Sequence, residues 1–481
     1  AIASQLQATT LQSFWASISF VLGVVISQPI YVTASDVFGR IQPLYVSMAL
    51  FTIGCIVFAV ANSMLVLIAG RLIQGLGAGG LDVLEEIILA DITTLKERPL
   101  YLGAIAVAIA TGSILGPIVG ALFSEFSTWR WIGWVNLPIV GSAFVLAVCF
   151  LRLKPIPTPF CVKIKQLDWM GMALLTVGAT ATALPLSWAD TMYPWSSWRT
   201  IVPLIIGLLT LLVFGIYERR PTNPVIPYRI FSNITAIVSL VTGLVHGLLL
   251  YTMLLYLPLF FQAVFLEAPL EAAKSTIPVC ILAVVFSFIA PVTIEFTRRY
   301  RILLWLGWIF TSISFGLFCL VRHETSRVNT YLFQALLGVG IGTVFTGTQI
   351  PMQASVIHVD DTGLAVGMLV VFRLGGALIG LSISSTAFSS VFQKSIAPLL
   401  PLPEQLALLE DASQAISFIP VLRTLSLTAE SMSGVIEAYE KAFRAVWIIL
   451  TSLSIFGLSV SFFMKDLSLE TEETGRQRFE N

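Results

Sequence analysis

The run Met64–Leu81 (MLVLIAGRLIQGLGAGGL) is long enough to cross a bilayer and carries a single charge, Arg71. A guanidinium in hydrocarbon costs at least about 2.5–3.5 kcal/mol, so it belongs against a polar cavity or a partner. At 3.6 residues per turn, Gln74, Gly75, Ala78, Gly79, Asp82 and then Glu85 or Glu86 follow on the same helical face. A charge track therefore runs from mid-membrane toward one end. Arginine does not release its proton, which leaves two roles open for Arg71. It is either a structural cation held by a carbonyl or carboxylate, or a cation that modulates a nearby acid or water chain. Gly75 and Gly79 allow a neighbouring helix or a ligand to approach the backbone. His246, midway along the apolar run 233–262, has an unperturbed pKa near neutrality. It reads equally as a proton carrier and as a neutral, packed histidine. Arg373, Gln349 and Gln353 are further candidates for the cavity wall. Tyr251, Tyr256, Phe260 and Phe261 suit an apolar pocket, with packing or lipid contact as the default reading.

Elements that could hold these groups at membrane depth must be membrane helices. Of the 481 residues, 57% are hydrophobic and 11% charged, and mean hydropathy is +0.90. A soluble globular chain does not reach such values without exposing large apolar surface, so this is a polytopic, all-α membrane protein. Net charge is zero and basic residues are dispersed, which excludes nucleic acid as a partner. The five cysteines (Cys55, Cys149, Cys161, Cys280, Cys319) form no CxxC or Cys/His cluster, so no metal, cofactor or disulfide framework is expected. No nucleophile–base pair recurs at membrane depth, which argues against an enzyme.

About thirteen stretches meet the requirement of roughly 20 mainly apolar residues: 13–34, 43–61, 64–89, 101–123, 133–151, 169–189, 201–217, 234–262, 276–294, 302–321, 331–351, 363–390 and 442–464. If Asp36–Pro43 faces the cytoplasm, that side holds sixteen Lys and Arg residues and the other nine, the bias expected of a cytoplasmic face. The polar stretch Gln393–Glu440 is then external. Its apolar residues Leu406, Leu409, Ile416, Ile419 and Leu422 lie at near-helical spacing, which predicts an interfacial amphipathic connector more readily than a substrate lid. The sequon Asn233-Ile234-Thr235 falls on the cytoplasmic side, so no glycan is expected there. Ala1–Leu6 reads as the exit of a preceding helix, with no signal peptide.

Gly112, Gly116, Pro117 and Gly120 (GSILGPIVG) lie within one apolar run. Proline removes a helix hydrogen bond and the glycines thin one side, which predicts a kinked helix that packs closely on a partner. The stretch Trp129–Pro138 (WRWIGWVNLP) follows shortly. With these segments the chain resembles the major facilitator superfamily. Asp36-Val37-Phe38-Gly39-Arg40 looks like its cytoplasmic loop motif, Leu67–Gly79 its arginine motif and Gly112–Gly120 its antiporter motif. The Trp129–Pro138 segment is similar to that of the fourteen-helix drug:proton antiporters, particularly fungal multidrug and mycotoxin efflux members. Two features depart from the pattern. The family's first helix, with its acidic residue, does not appear in this chain. Val32 stands where the loop motif has its leading glycine, and Ile41 where a second basic residue is usual.

The resemblance implies two six-helix bundles joined by two extra helices. The expected layout is an N-terminal bundle over 1–151, cytoplasmic linkers and the extra helices (169–189 and 201–217) over 152–232, a C-terminal bundle over 233–464 with the external loop 393–440, and a cytoplasmic tail over 465–481. It implies a cytoplasmic gate in which Asp36 sits near the start of the helix opening at Gly363, and Arg40, after Gly39, pairs with Glu86 or Asp91. Proton coupling would fall to the charges listed above. The expected function is proton-coupled efflux of small amphipathic or apolar molecules by a monomer whose partners are substrate, protons and lipid. The plasma membrane is the expected location, with the vacuolar membrane as the other. A facilitator or importer on the same fold, and a non-transporting sensor or truncated paralogue, are the rival readings.

Overall fold

The computed structural model describes residues 5–6, 10–154, 156, 159–189, 193–221, 224–226, 228–356, 358, 361–399, 401–411, 414–425 and 428–469. Helices α1 (Thr10–Phe38), α2 (Ile41–Ala59), α3 (Met64–Ile92), α4 (Arg98–Phe126), the single turn α5 (Trp131–Trp134) and α6 (Asn136–Phe150) come first. A short helix, α7 (Phe160–Gln166), leads into the pair α8 (Trp169–Trp188) and α9 (Trp198–Tyr217). Then come α10 (Ile234–Val264), α11 (Pro269–Ser275), α12 (Ile277–Thr297), α13 (Arg301–Phe318), α14 (Arg327–Gly347), α15 (Gln349–Ala354), α16 (Thr362–Ile396), α17 (Ala415–Leu422) and α18 (Ala429–Ser461). Twelve spans among the described residues are long and apolar enough to cross a bilayer. At 29 residues, α4 is a further helix of spanning length.

Small residues set the helix contacts. A side chain at Gly75 or Gly79 of α3 would run into α1 at Phe20, Val24 and Ser27, and one at Gly77 or Gly80 into α2 at Phe51 and Ser47. With α3 thus gripped from both sides, the face carrying Asp82 and Glu85 is held in place. Opposite it, α16 packs on α10 through Gly376 and Gly380, and α14 on α12 and α13 through Gly338, Gly342 and Gly340. The extra pair α8 and α9 interlocks through Gly178 and Gly207, and α8 lies against α1 and α16. Lipid-facing surface is apolar, as on α9, where Ile205, Ile206, Leu209 and Leu212 are all more than half exposed or nearly so.

The external stretch is not the interfacial connector expected of it. At 35 residues and a rise of 1.5 Å each, α16 is about 50 Å long and projects beyond a core of about 30 Å. The 33-residue α18 does the same. Leu406, Leu409, Ile419 and Leu422 are buried against Phe388, Phe392, Val435 and Tyr439 of these projecting ends, and the Tyr439 hydroxyl donates to Ala415 O at 2.7 Å. The apolar stripe therefore covers protein where the lipid interface was expected, because periodicity does not specify which apolar partner a stripe meets. The expected helix 331–351 is interrupted at Thr348, between α14 and α15.

Candidate functional site: a mid-membrane cavity closed on the cytoplasmic side

Between the two halves lies a cavity of about 430 Å³. Phe20, Val21 and Val24 of α1 and Leu374, Ala377, Leu378 and Leu381 of α16 supply apolar walls, with Tyr251 from α10. Asp82 and Glu85 of α3 line it as exposed carboxylates. Gln28 of α1 donates to Asp82 Oδ2 at 2.6 Å, which fixes one carboxylate and leaves the other free to turn. The positive charge of Arg373 is near enough to attract both Asp82 and Glu86.

The other expected cavity residues are dispersed. Arg71 is half-buried at the outer end of α3, stacked 4.4 Å over the Phe20 ring and donating to Gln74 Oε1 at 3.0 Å. Among the described residues it makes no ion pair with a carboxylate. Gln74 in turn donates to Cys55 Sγ at 3.1 Å, so this cluster joins α1, α2 and α3, and of its members only Phe20 lines the cavity. His246 is buried inside the second half, its Nε2 3.0 Å from Ile341 O. A carbonyl only accepts, so Nε2 carries the hydrogen, and the ring is packed in the core, away from the cavity. Arg373 donates to Phe345 O at 2.9 Å and stacks 4.2 Å from that ring. Gln349 and Gln353 lie below the cavity, in the contact between the halves: Gln349 donates to Glu86 Oε1 at 2.9 Å, and Arg98 donates to Gln353 Oε1 at 3.1 Å.

That contact closes the end of the cavity expected to face the cytoplasm. Gly39 ends α1 with φ of 97°, a left-handed conformation that costs glycine little and a Cβ-bearing residue more. The chain thereby reverses within two residues, and Arg40 points into the protein with 1% exposure. Its Nε meets Asp91 Oδ2 at 2.8 Å, its Nη1 donates to Ser35 at 2.9 Å, and Nη2 is 3.5 Å from Asp36. Of the two acids expected for Arg40, Asp91 is therefore the hydrogen-bonded partner, and Glu86 bonds across the interface to Gln349. Where the loop motif lacks its leading glycine, Val32 fits against Gly367 of α16, and Arg40 lies next to Gly363. The small residue required for close approach has moved to the partner helix.

Arg98, which the sequence reading did not single out, is 2% exposed and donates to Ala90 O, Thr93 O and Gln353. No sequence signal links residues 98 and 353, because only the meeting of the halves brings them together. Arg298 adds a contact to Lys96 O at 3.4 Å. By contrast, nothing lies within 4 Å of where a Cβ would stand at Gly112, Gly116 or Gly120. The close packing expected of that face is not made among the described residues here; the Pro117 side chain lies outside them. No group of three or more His, Cys, Asp or Glu forms a metal site among the described residues.

Residues 1–381 match the family model for the Major Facilitator Superfamily. Over its whole length the chain is 44% identical to MFS-type transporter sphD of Aspergillus fumigatus, of which it covers 83%. It is 32% identical to efflux pump FUS6 of Gibberella fujikuroi, over 95% of this chain and 83% of that one. Among solved structures, the proton:xylose symporter XylE superimposes with a TM-score of 0.58 at 12% identity, covering 96% of this chain and 88% of the other. The human organic anion transporter MFSD10 gives 0.56 at 15%, covering 93% and 83%. At such identities the structures show the fold alone, and it is that of the helices described above. This chain is a multi-pass membrane transporter belonging to the Major Facilitator Superfamily.

Proposed function

We propose that the protein exports small amphipathic or apolar molecules from the cytoplasm, coupled to inward proton movement, by exposing the central cavity to each side in turn. The observation that carries this reading is a mainly apolar cavity at mid-membrane into which two carboxylates, Asp82 and Glu85, project. Apolar walls select by size and shape without a fixed hydrogen-bond code, while carboxylates at that depth bind and release protons on a transport path. Relatives named as efflux pumps favour export over import.

The arrangement here is the cytoplasm-closed state of the cycle. Protons reach Asp82 and Glu85 from outside and neutralise them, which lowers the cost of closing apolar walls around the site. The halves then rock, the contacts of Arg98, Glu86 and Arg298 separate, and the outer halves of α4 and α12 come together. The open glycine face at Gly112, Gly116 and Gly120 gives α4 room for that approach. In this scheme Asp82 and Glu85 carry protons, Arg40, Asp36 and Asp91 form the cytoplasmic gate, and Arg71 orients the outer end of α3. The plasma membrane is the proposed location.

Efflux of an apolar fluorescent dye from proteoliposomes, with an imposed proton gradient of either sign, tests the proposal. Export that follows the gradient and collapses with an uncoupler is the expected result. Dye movement indifferent to the gradient would replace the antiporter by a facilitator, and no movement for any amphipathic probe would remove the export reading.

A further inference from the structure

We propose that a pocket at the outer ends of α13 and α18 binds a phospholipid, with Arg322 and Arg444 holding the phosphate of the headgroup and the acyl chains lying in the furrow between the two helices. The pocket measures about 230 Å³ and is lined by Cys319, Arg322, Glu437, Glu440, Lys441 and Arg444. On α18 the last four stand at offsets of three, four and seven, which puts them on one face. Glu437 pairs with Lys441 at 2.9 Å, and Glu440 accepts from the backbone N–H of His323. Both acids and the lysine are thereby engaged. The guanidiniums of Arg322 and Arg444 have no carboxylate within ion-pair distance among the described residues, so the positive charge left over in the pocket is theirs.

Helix lengths place this pocket at the membrane surface. The inner ends of the two helices lie at one level, since Trp305 Nε1 of α13 donates to Ser461 O of α18 at 3.3 Å. At 1.5 Å per residue Cys319 stands about 27 Å from Arg301 and Arg444 about 26 Å from Ser461, close to the thickness of a hydrocarbon core of about 30 Å. In the expected orientation this is the outer boundary. Below it each helix offers lipid an apolar stripe: Ile309, Ile313 and Leu320 of α13 and Ile448 and Ile455 of α18 are between 38 and 67% exposed. Between the stripes a Cβ at Gly316 would meet only Thr451 Cγ2, at 3.9 Å, so the glycine leaves a shallow furrow that leads up to the two arginines.

Guanidinium forks bind phosphate oxygens through parallel, charge-assisted hydrogen bonds. A soluble anion gains those bonds and leaves the furrow empty; a neutral lipid fills the furrow and leaves both guanidiniums unmatched. A phospholipid uses both. On the water side the pocket opens past Arg322, Glu437 and Glu440 into a second cavity of about 450 Å³, bordered by His323, Glu324 and Ser433, which gives the alcohol of the headgroup room. Neither α13 nor α18 lines the transport cavity, so a bound lipid steadies the outer rim of the second half and leaves the path clear. The site does not depend on the direction in which substrate moves.

Native mass spectrometry of the full chain in detergent, titrated with phosphatidylcholine, reads the binding. Arg322→Gln with Arg444→Gln removes the charge-assisted bonds and should weaken binding by about tenfold or more. Both side chains are exposed, so this double variant should keep the wild-type Tm in lipid-free detergent. Lys394→Gln with Arg423→Gln takes away two outer cations that do not line the pocket and should bind as wild type does. Gly316→Leu, which fills the furrow and alters no charge, should also weaken binding. Diacylglycerol, with chains and no phosphate, and inorganic phosphate, with no chains, should each bind at least about tenfold more weakly than phosphatidylcholine. Unchanged binding in the arginine double variant or in Gly316→Leu, an equal loss in the Lys394 and Arg423 control, or diacylglycerol or inorganic phosphate binding as tightly as phosphatidylcholine would overturn the proposal.

Discussion

Arg71 and Asp82 share one helical face and have different surroundings. The guanidinium rests on Phe20 and Gln74, while the carboxylate borders the cavity. Replacing Asp82 by Asn, or Glu85 by Gln, should cut gradient-driven efflux by more than about tenfold, a loss of roughly 1.4 kcal/mol of coupling. Dye binding should survive, since the apolar walls are intact; equal losses of binding and efflux would show a role in the substrate site instead. Arg71→Ala should abolish transport with membrane expression largely intact, because removing the charge relieves an insertion penalty. Lysine should rescue poorly, having no planar fork to stack on Phe20. At the gate, Arg40 and Asp91 are both 1% exposed. Asp91→Ala takes the nearer of its two carboxylates from a buried cation and should cost up to about 3–5 kcal/mol. Glu86→Gln, which keeps a side-chain oxygen for Gln349, should cost far less. A comparison of thermal unfolding of the two separates the acids that the loop motif alone left interchangeable.

The glycines of α3 and α4 make opposite predictions at the level of the element. Gly79 has no room beside Ser27 and Val24 of α1, so Gly79→Val should destabilise the fold by about 1–3 kcal/mol or more, the usual cost of overpacking. Gly116 faces open space in this state, so Gly116→Val should leave stability within about 0.5 kcal/mol and still impair export, by obstructing the outer closure of α4. Normal export with normal stability would take that helix out of the cycle. Unfolding of Gly116→Val would mean that its face is already packed.

In the proposed cycle the cytoplasm-closed form is held by contacts that join the halves: Arg98 to Gln353, Gln349 to Glu86 and Arg298 to Lys96 O. Each is a hydrogen bond worth about 1–3 kcal/mol, and together they bias a two-state equilibrium. Gln349→Ala with Gln353→Ala should therefore shift the population toward the cytoplasm-open form. The measurement is the reaction rate of a cysteine introduced at Ile87 with a membrane-impermeant thiol reagent applied from the cytoplasmic side, against the same cysteine in an otherwise wild-type chain. An unchanged rate would show that the apolar layer around Ile87, Leu364 and Met368 holds the closure by itself.

The sequence by itself determined the number of long apolar helices, their approximate limits, the family and the placing of Asp82, Glu85 and Arg71 on one apolar helix. Each follows from local quantities: the length of an apolar run against the thickness of a bilayer, and the cost of a charge within it. The tertiary structure alone decided how those charges divide between cavity, core and gate. His246, Gln349 and Gln353 have the composition of cavity residues, but their positions depend on which face of α10 and α15 meets a neighbour, and apolar runs without a polar face carry no such signal. The partners of Arg40 and Arg98 stand 51 and 255 residues away. The stripe at Leu406–Leu422 was legible as apolar, while its burial under α16 and α18 was not. Within a membrane chain, protein and lipid offer an apolar stripe nearly the same solvent, so only the packing of small residues against particular neighbours distinguishes them.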